Sequence, residues 1–337
     1  MTWQEKRVVT ILSTILLILS AALLIVLGIR YRENRVDPEK GETPLTVSVP
    51  EKTSFYTGLT YTNGTTTLSF SLDENENWIW SDDPTFPLND STVLSVTDSL
   101  SNWNPQQTIT DSAILADCGL AQPTASITAT TTKGLIILEF GKATTDGTSY
   151  YVRLNGDEST AYIVDGALYD LLSVPIYDMY DMPEMPTLDE TTIKSFSIFG
   201  ASAEDGTPGI LTAISAQPID GSATPSWRSE GANVSDDPTV QALLGDLRTM
   251  EFVKCFDYRP SDEAVTICGL DKPAAHLMVH YVPEGSSEEQ TLLLAIGNPL
   301  SDGSGRYAQL GEDSTIFLLP TAALDPLMRV SVSGLES

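Results

Sequence analysis

The sequence predicts an α+β protein: two tandem copies of a largely antiparallel β-meander, each with one or two helices, preceded by one N-terminal transmembrane helix. Three observations carry this. Residues 8–29 run for 22 positions without a charge. The strings SDDPT (81–85 and 235–239) and CGL (118–120 and 268–270) each occur twice, in the same order. Around them lie short β-prone runs separated by Asn-Gly and Asp-Gly.

The uncharged run is bracketed by Lys6-Arg7 and Arg30. At about 1.5 Å per residue it covers roughly 30 Å of hydrocarbon, too long for a signal-peptide core. It reads as one uncleaved anchor. Residues 1–7 then form a short cytoplasmic tail, 30–52 a charged tether, 53–174 the first repeat, 175–190 a linker and 191–333 the second repeat. Lys6 and Arg7 precede the anchor and Arg30, Arg32 and Arg35 follow it, a count that slightly favours the opposite orientation, but long domains translocate largely regardless of flanking charge. The Thr-, Ser-, Gly- and Asp-rich, Lys-poor body therefore decides: a single-pass protein of the cell membrane, with its large C-terminal domain outside the cytoplasm.

The chain holds 18 Lys and Arg against 46 Asp and Glu, a net charge of −28. Beyond residue 35 the balance is −31. Such a surface repels phosphate backbones and anionic headgroups, which excludes nucleic acid as a partner. The three cysteines (Cys118, Cys255, Cys268) form no CxxC, and an odd count rules out a fully paired framework. A Cys255–Cys268 bridge stays open.

The elements follow in order. SFYTGLTYTNGTTTLSFSL (54–72) is a hairpin about Asn63-Gly64. SDDPT reads as a helix start, with Asp83 or Asp237 as cap and Pro84 or Pro238 at the first helical position. In the second repeat Val240, Leu243, Leu244, Leu247 and Met250 share a helical face. In the first, Pro87 interrupts, and Asn89 or Asp90 restarts the helix. Strands SITATT, GLIILEF, SYYVRL and TAYIV come next, then a short helix, DGALYDLL. Gly141, Asp146-Gly147 and Tyr151 match Gly297, Asp302-Gly303 and Tyr307.

CGLAQP and CGLDKP end two short helices. Gly119 and Gly269 take the left-handed position, Leu120 and Leu270 pack back on Leu115 and Val265, and Pro123 and Pro273 stop the helix from resuming. Every position has a structural role, which outweighs a catalytic cysteine.

No G-x-S-x-G, P-loop, dinucleotide fingerprint or HExxH occurs, and no cofactor is implied. The only two histidines, His276 and His280, sit in AAHLMVH. That spacing suits zinc on a helix, but the surroundings read as a strand with Leu277 and Val279 facing the other way. Their first-repeat counterparts are Ser126 and Thr130, so a surface-face role is the stronger reading. Asp73, Asn75 and Asn77 open like a calcium loop, which Trp78 and Pro84 then break. Met179, Met182 and Met185 recur at spacing three, one face of a polyproline helix and a soft-ion site such as Cu(I) binds. A linker whose Met and Tyr side chains fill gaps between the repeats is the stronger reading.

These features resemble the bacterial domain-of-unknown-function 4340 family. The carrying residues are Gly119-Leu120…Pro123 and Gly269-Leu270…Pro273, then glycine-ended strands (138–141 and 294–297), a D-G turn and a closing apolar strand, over roughly 55–172 and 190–330. Cys118 and Cys268 stand where members often have Tyr. The resemblance implies a membrane-anchored extracytoplasmic protein associated with ABC-type permease subunits. The functional expectation is a non-enzymatic accessory or interaction module. The alternative is a cell-surface metal-binding protein or hydrolase using acidic residues, which would need carboxylates from different loops to converge.

Overall fold

A computed structural model describes residues 55–335 except 204, 205 and 223. The expected tail, membrane helix and tether lie outside the described residues. Among the described residues no helix is long and apolar enough to cross a membrane.

Eight strands make the first sheet: β1 (Tyr56–Thr62), β2 (Thr67–Leu72), β3 (Trp78–Trp80), β4 (Gln107–Ile109), β5 (Ala125–Thr131), β6 (Gly134–Ala143), β7 (Ser149–Leu154) and β8 (Ala161–Asp165). Its order is β3-β2-β1-β5-β6-β7-β8-β4. The second sheet holds β9 (Ile193–Gly200), β10 (Leu211–Gln217), β11 (Ser226–Ser229), β12 (Ala232–Asn233), β13 (Lys254–Asp257), β14 (Ala275–Tyr281), β15 (Gln290–Pro299), β16 (Gly305–Leu310) and β17 (Ile316–Pro320). Its order is β12-β11-β10-β9-β14-β15-β16-β17-β13. Apart from the extra edge strand β12, the two orders correspond position for position. All pairings are antiparallel. Tyr61 faces Ile127 as Ile198 faces Leu277, and Trp78 faces Leu72 as Trp227 faces Ala216.

Each sheet buries one face under helices, so buried residues alternate along its strands. In the first core Val93, Val96 and Leu100 of α1 (Ser91–Ser101) and Leu168 of α3 (Gly166–Leu171) meet Leu59, Tyr61, Ile127, Ile136 and Leu138. In the second, Val240, Leu243, Leu244 and Leu247 of α4 (Pro238–Thr249) pack with Leu327 and Val330 of α6 (Asp325–Ser333) on Phe196, Ile198, Leu277 and Leu294. Each such side chain contributes about 1.5–3 kcal/mol of burial.

Local chemistry sets the boundaries. Asn63 Oδ1 accepts from the backbone amides of Thr65 and Thr66 and closes the β1–β2 turn. Asp237 caps α4 through Thr239 and Val240, with Pro238 behind it. Met250 turns extended, so the helix stops there. The first SDDPT behaves differently. Asp83 caps no helix: its carboxylate accepts from the amide and hydroxyl of Thr85 in a turn. Helix α1 begins only at Ser91, after Pro87, with Asp90 at the N-cap and Asn89 accepting from Ser91.

The two CGL strings end α2 (Ser112–Asp117) and α5 (Asp262–Ile267), with Gly119 at φ +76° and Gly269 at φ +70°. In the second, Leu270 N–H donates to Val265 and Gly269 N–H to Thr266, the paired bonds of a Schellman end. Leu120 packs with Leu115 and Cys118, and Leu270 with Val265 and Cys268. The carbonyl of Cys118 then accepts from Lys142 at 2.8 Å, and that of Cys268 from Asn298 at 2.7 Å. Both acceptances fall where β6 and β15 slip register against their neighbours. Gly141 and Gly297 sit at the slip. A Cβ on either would collide with the cysteine carbonyl oxygen. Pro123 and Pro273 follow, and β5 and β14 start two residues later.

Gly297→Ala and Gly141→Ala are each expected to cost about 3 kcal/mol or more, because backbone must move. Gly303→Ala, at φ +73° in open space, should cost about 1 kcal/mol. Urea midpoints by circular dichroism check this; equal losses at 297 and 303 would refute the close-approach account. The Tyr61 hydroxyl is buried without a partner, and its counterpart is the apolar Ile198. Tyr61→Phe should therefore leave the melting temperature unchanged or raise it.

Candidate functional site

The linker expected at 175–190 opens with a single 3₁₀ turn (Ile176–Met179). It passes between the β3 edge of the first sheet and the β13 edge of the second. Phe86, 3% exposed, sits at the centre of this junction. Trp80, Tyr180 and Tyr258 meet its ring edge-on at 5.4, 5.5 and 5.2 Å, and Tyr177 stacks at 6.3 Å. Trp80 comes from the first sheet, Tyr177 and Tyr180 from the linker, and Tyr258 from the segment after β13. Cys255 and Phe317 of the second sheet complete the cluster. Aromatic pairs of this kind add about 0.5–1.5 kcal/mol each beyond area burial.

Polar contacts surround the cluster. The Arg259 guanidinium donates to Asp83 at 3.0 Å and to Thr85 Oγ1 at 2.8 Å. The Tyr258 hydroxyl donates to the Thr85 carbonyl at 3.2 Å. Hydrogen bonds from Thr85 hold the Asp83 carboxyl below its ordinary value, with Arg259 adding to the effect. Lys254 pairs with Asp178 at 2.6 Å. Main-chain bonds run from Asn89 to Met179 and from Asp181 to Pro87, both 2.8 Å. Exposed ion pairs are worth less than about 1 kcal/mol, so the buried rings dominate. The turn at 83–86 now has its reason: it inserts Phe86 between the sheets.

The three linker methionines share no face. Met179 is buried in the first core, Met182 packs on the junction cluster, and Met185 packs on the second core. The linker is thereby seated in three apolar clusters in succession. An open cleft of about 460 Å³ lies between Met182–Thr187 and the end of α4, where Arg248, Met250 and Phe252 line it.

His276 and His280 lie on the outer face of β14, opposite Phe199 and Ser195 of β9. Ser126 and Thr130 hold the corresponding places on β5, opposite Thr62 and Gly58. Strand rise separates the two histidines by about 13 Å, too far for one ion. His280 Nδ1 instead sits 3.0 Å from Thr291 Oγ1 and 3.5 Å from Glu289. Asp73 spends its carboxylate on the amides of Asn75 and Asn77 in its own turn. Among the described residues no three His, Cys, Asp or Glu side chains converge as a metal site.

All three cysteines are free and buried, so the Cys255–Cys268 bridge is not made. Burial pushes the Cys255 thiol up to about 12, with Asp257 and Asp313 adding to it. Burial also raises Cys118 and Cys268. Each stays a protonated packing group. Sequence reasoning missed Phe86, Tyr258 and Arg259. The one available signal was that SDDPTF runs into Pro87 while SDDPTV runs into a helix.

No curated protein matches the chain. No solved structure matches it either. A family model does match, over residues 78–229. That span opens at β3, crosses the junction and linker, and closes at the end of β11. The GL-x-x-P helix end and the glycine-ended strand both fall within it at Gly119, Leu120, Pro123 and Gly141. Over residues 78–229 the chain matches the family described as Domain of unknown function (DUF4340), the family those residues point to.

Proposed function

We propose that this chain is a membrane-anchored extracytoplasmic accessory module, made of two tandem copies of one unit, that works by presenting a fixed surface to ABC-type permease subunits. The observation that carries the reading is the junction. A chain that joins two like-ordered sheets through an aromatic cluster, and seats its linker in both cores, is built to hold a geometry. The corresponding strand orders support the duplication. The uncharged run at 8–29 supports a single-pass anchor in the cell membrane, with the acidic body outside. The cysteine and histidine environments described above favour packing over catalysis.

The central test tags the full chain at its C-terminus, solubilises native membranes gently and identifies what co-purifies. Stoichiometric permease subunits are expected; recovery of the chain alone would sink the permease reading. Protease added to intact cells should cut the 36–337 region while a cytoplasmic marker survives. A protected body would place the domain inside instead.

The reading also requires the two sheets to behave as one body. Phe86→Ala should cost about 3–5 kcal/mol of packing at the junction. Calorimetry of the wild type should show one cooperative transition, and of Phe86→Ala two. Two transitions already in the wild type would mean that the junction does not couple the sheets.

A further inference from the structure

Glu139 on β6 faces Arg153 on β7, and the guanidinium donates from Nε to Glu139 at 2.7 Å. At the matching register of the second sheet, β15 and β16 pair Ala295 with Gln309 instead. The ion pair is therefore not required by the strand order the two sheets share. It lies on the outer face of the first sheet, beside α2. A cleft of about 400 Å³ opens there between α2 and the β7–β8 turn, walled by Leu115, Ala116, Leu120 and Ala121 and reaching Arg153 and Glu158. Residues 111–161, which carry both the helix and the turn, are all described. The volume lies within the range of small-ligand pockets.

The cleft offers three kinds of contact. The Arg153 side chain is only 17% exposed, so an ionic contact to it is screened less than one on the open surface. Its Nε is committed to Glu139, which leaves the terminal N–H groups as donors suited to a carboxylate. The Glu139 hydrogen bond holds the guanidinium above its ordinary value, and the Glu158 charge adds to this. The two charges at the cleft are thus close enough to act on each other. Asp157 also lines the cleft, but it spends its carboxylate on the amide and hydroxyl of Ser159, at 2.9 and 2.6 Å. Exposed Glu158 is the carboxylate left for a ligand ammonium. The helix leucines and alanines supply an apolar wall. In the second sheet Asp271 stands in the place of Ala121.

A bare anion would meet Glu158 and Asp157 along with Arg153, and a bare cation would meet Arg153. A molecule carrying both charges on neighbouring atoms, with a short aliphatic branch, satisfies all three contacts. We propose that this cleft binds a free aliphatic α-amino acid, its carboxylate on Arg153, its ammonium on Glu158 and its side chain against Leu115 and Leu120. The site goes beyond the accessory role and does not depend on it: it gives the first sheet a ligand of its own.

Leucine is titrated into the purified full chain by calorimetry. Glycine, isocaproate and isoamylamine serve as comparators, lacking in turn the side chain, the ammonium and the carboxylate. Leucine should bind saturably, and each comparator at least about tenfold more weakly, or about 1.4 kcal/mol. The double variant Glu139→Ala, Arg153→Gln carries the pair that the second sheet already holds, so it should keep the fold by circular dichroism and lose the binding. Glu158→Gln, at an exposed position, should weaken leucine about tenfold and leave isocaproate unchanged. No saturable leucine binding, or a double variant that binds as wild type does, would overturn the site. Isocaproate binding as tightly as leucine, or a Glu158→Gln response identical to wild type, would overturn the zwitterion assignment. Glycine binding as tightly as leucine would overturn the apolar contact, and isoamylamine doing so would overturn the role of Arg153.

Discussion

A glycine must stand at positions 141 and 297 because the carbonyl oxygen of a helix-end cysteine fills the space any side chain would need. Much else depends on that contact. It places a short helix against the outer face of each sheet. It fixes where β6 and β15 slip register. It also takes up a helix-terminal carbonyl that would otherwise lack a partner beneath a buried side chain. The pairing of CGL with a glycine in a strand more than twenty residues later is thus one interaction written in two places. It occurs once in each sheet.

Much of the fold was legible from sequence because its signals are local. Asn63 closes a turn with its own side chain, Asp237 and Pro238 start a helix, and Gly269 ends one. The face of α4 shows in its own spacing. What escaped is non-local. The string at 81–85 is identical to that at 235–239, yet one makes a turn and the other a helix cap. Pro87 and a contact with Arg259, some 170 residues away, decide the difference. The edge strands β4 and β13 pair with β8 and β17, which follow them by more than fifty residues. No short-range pattern announces such a pairing. The methionine period suggested a shared face, but the linker's path through three clusters overrode it.

The acidity has a local component as well. Asp73, Asp146, Asp157 and Asp302 each accept the amide two residues on, within a turn. These hydrogen bonds hold their carboxyls below the ordinary value. An antiparallel architecture with many tight connections selects Asp and Asn for this purpose. Part of the chain's negative charge therefore follows from its topology.

The junction joins unlike edges, β3 of one sheet to β13 of the next. Contacts of that head-to-tail kind do not close on themselves, and a unit able to repeat one would grow into a fibre. The two outer edges differ from the joined ones. At the free edge of the first sheet Thr108 stands where the junction has Cys255, on a strand of three residues. At the free edge of the second, the two-residue β12 covers the position that β3 leaves open. Phe86, which fills the seam, has a helix residue, Val240, in its place in the second SDDPT segment, turned into the core. Among the described residues the two outer edges thus lack the side chains that form the seam between β3 and β13.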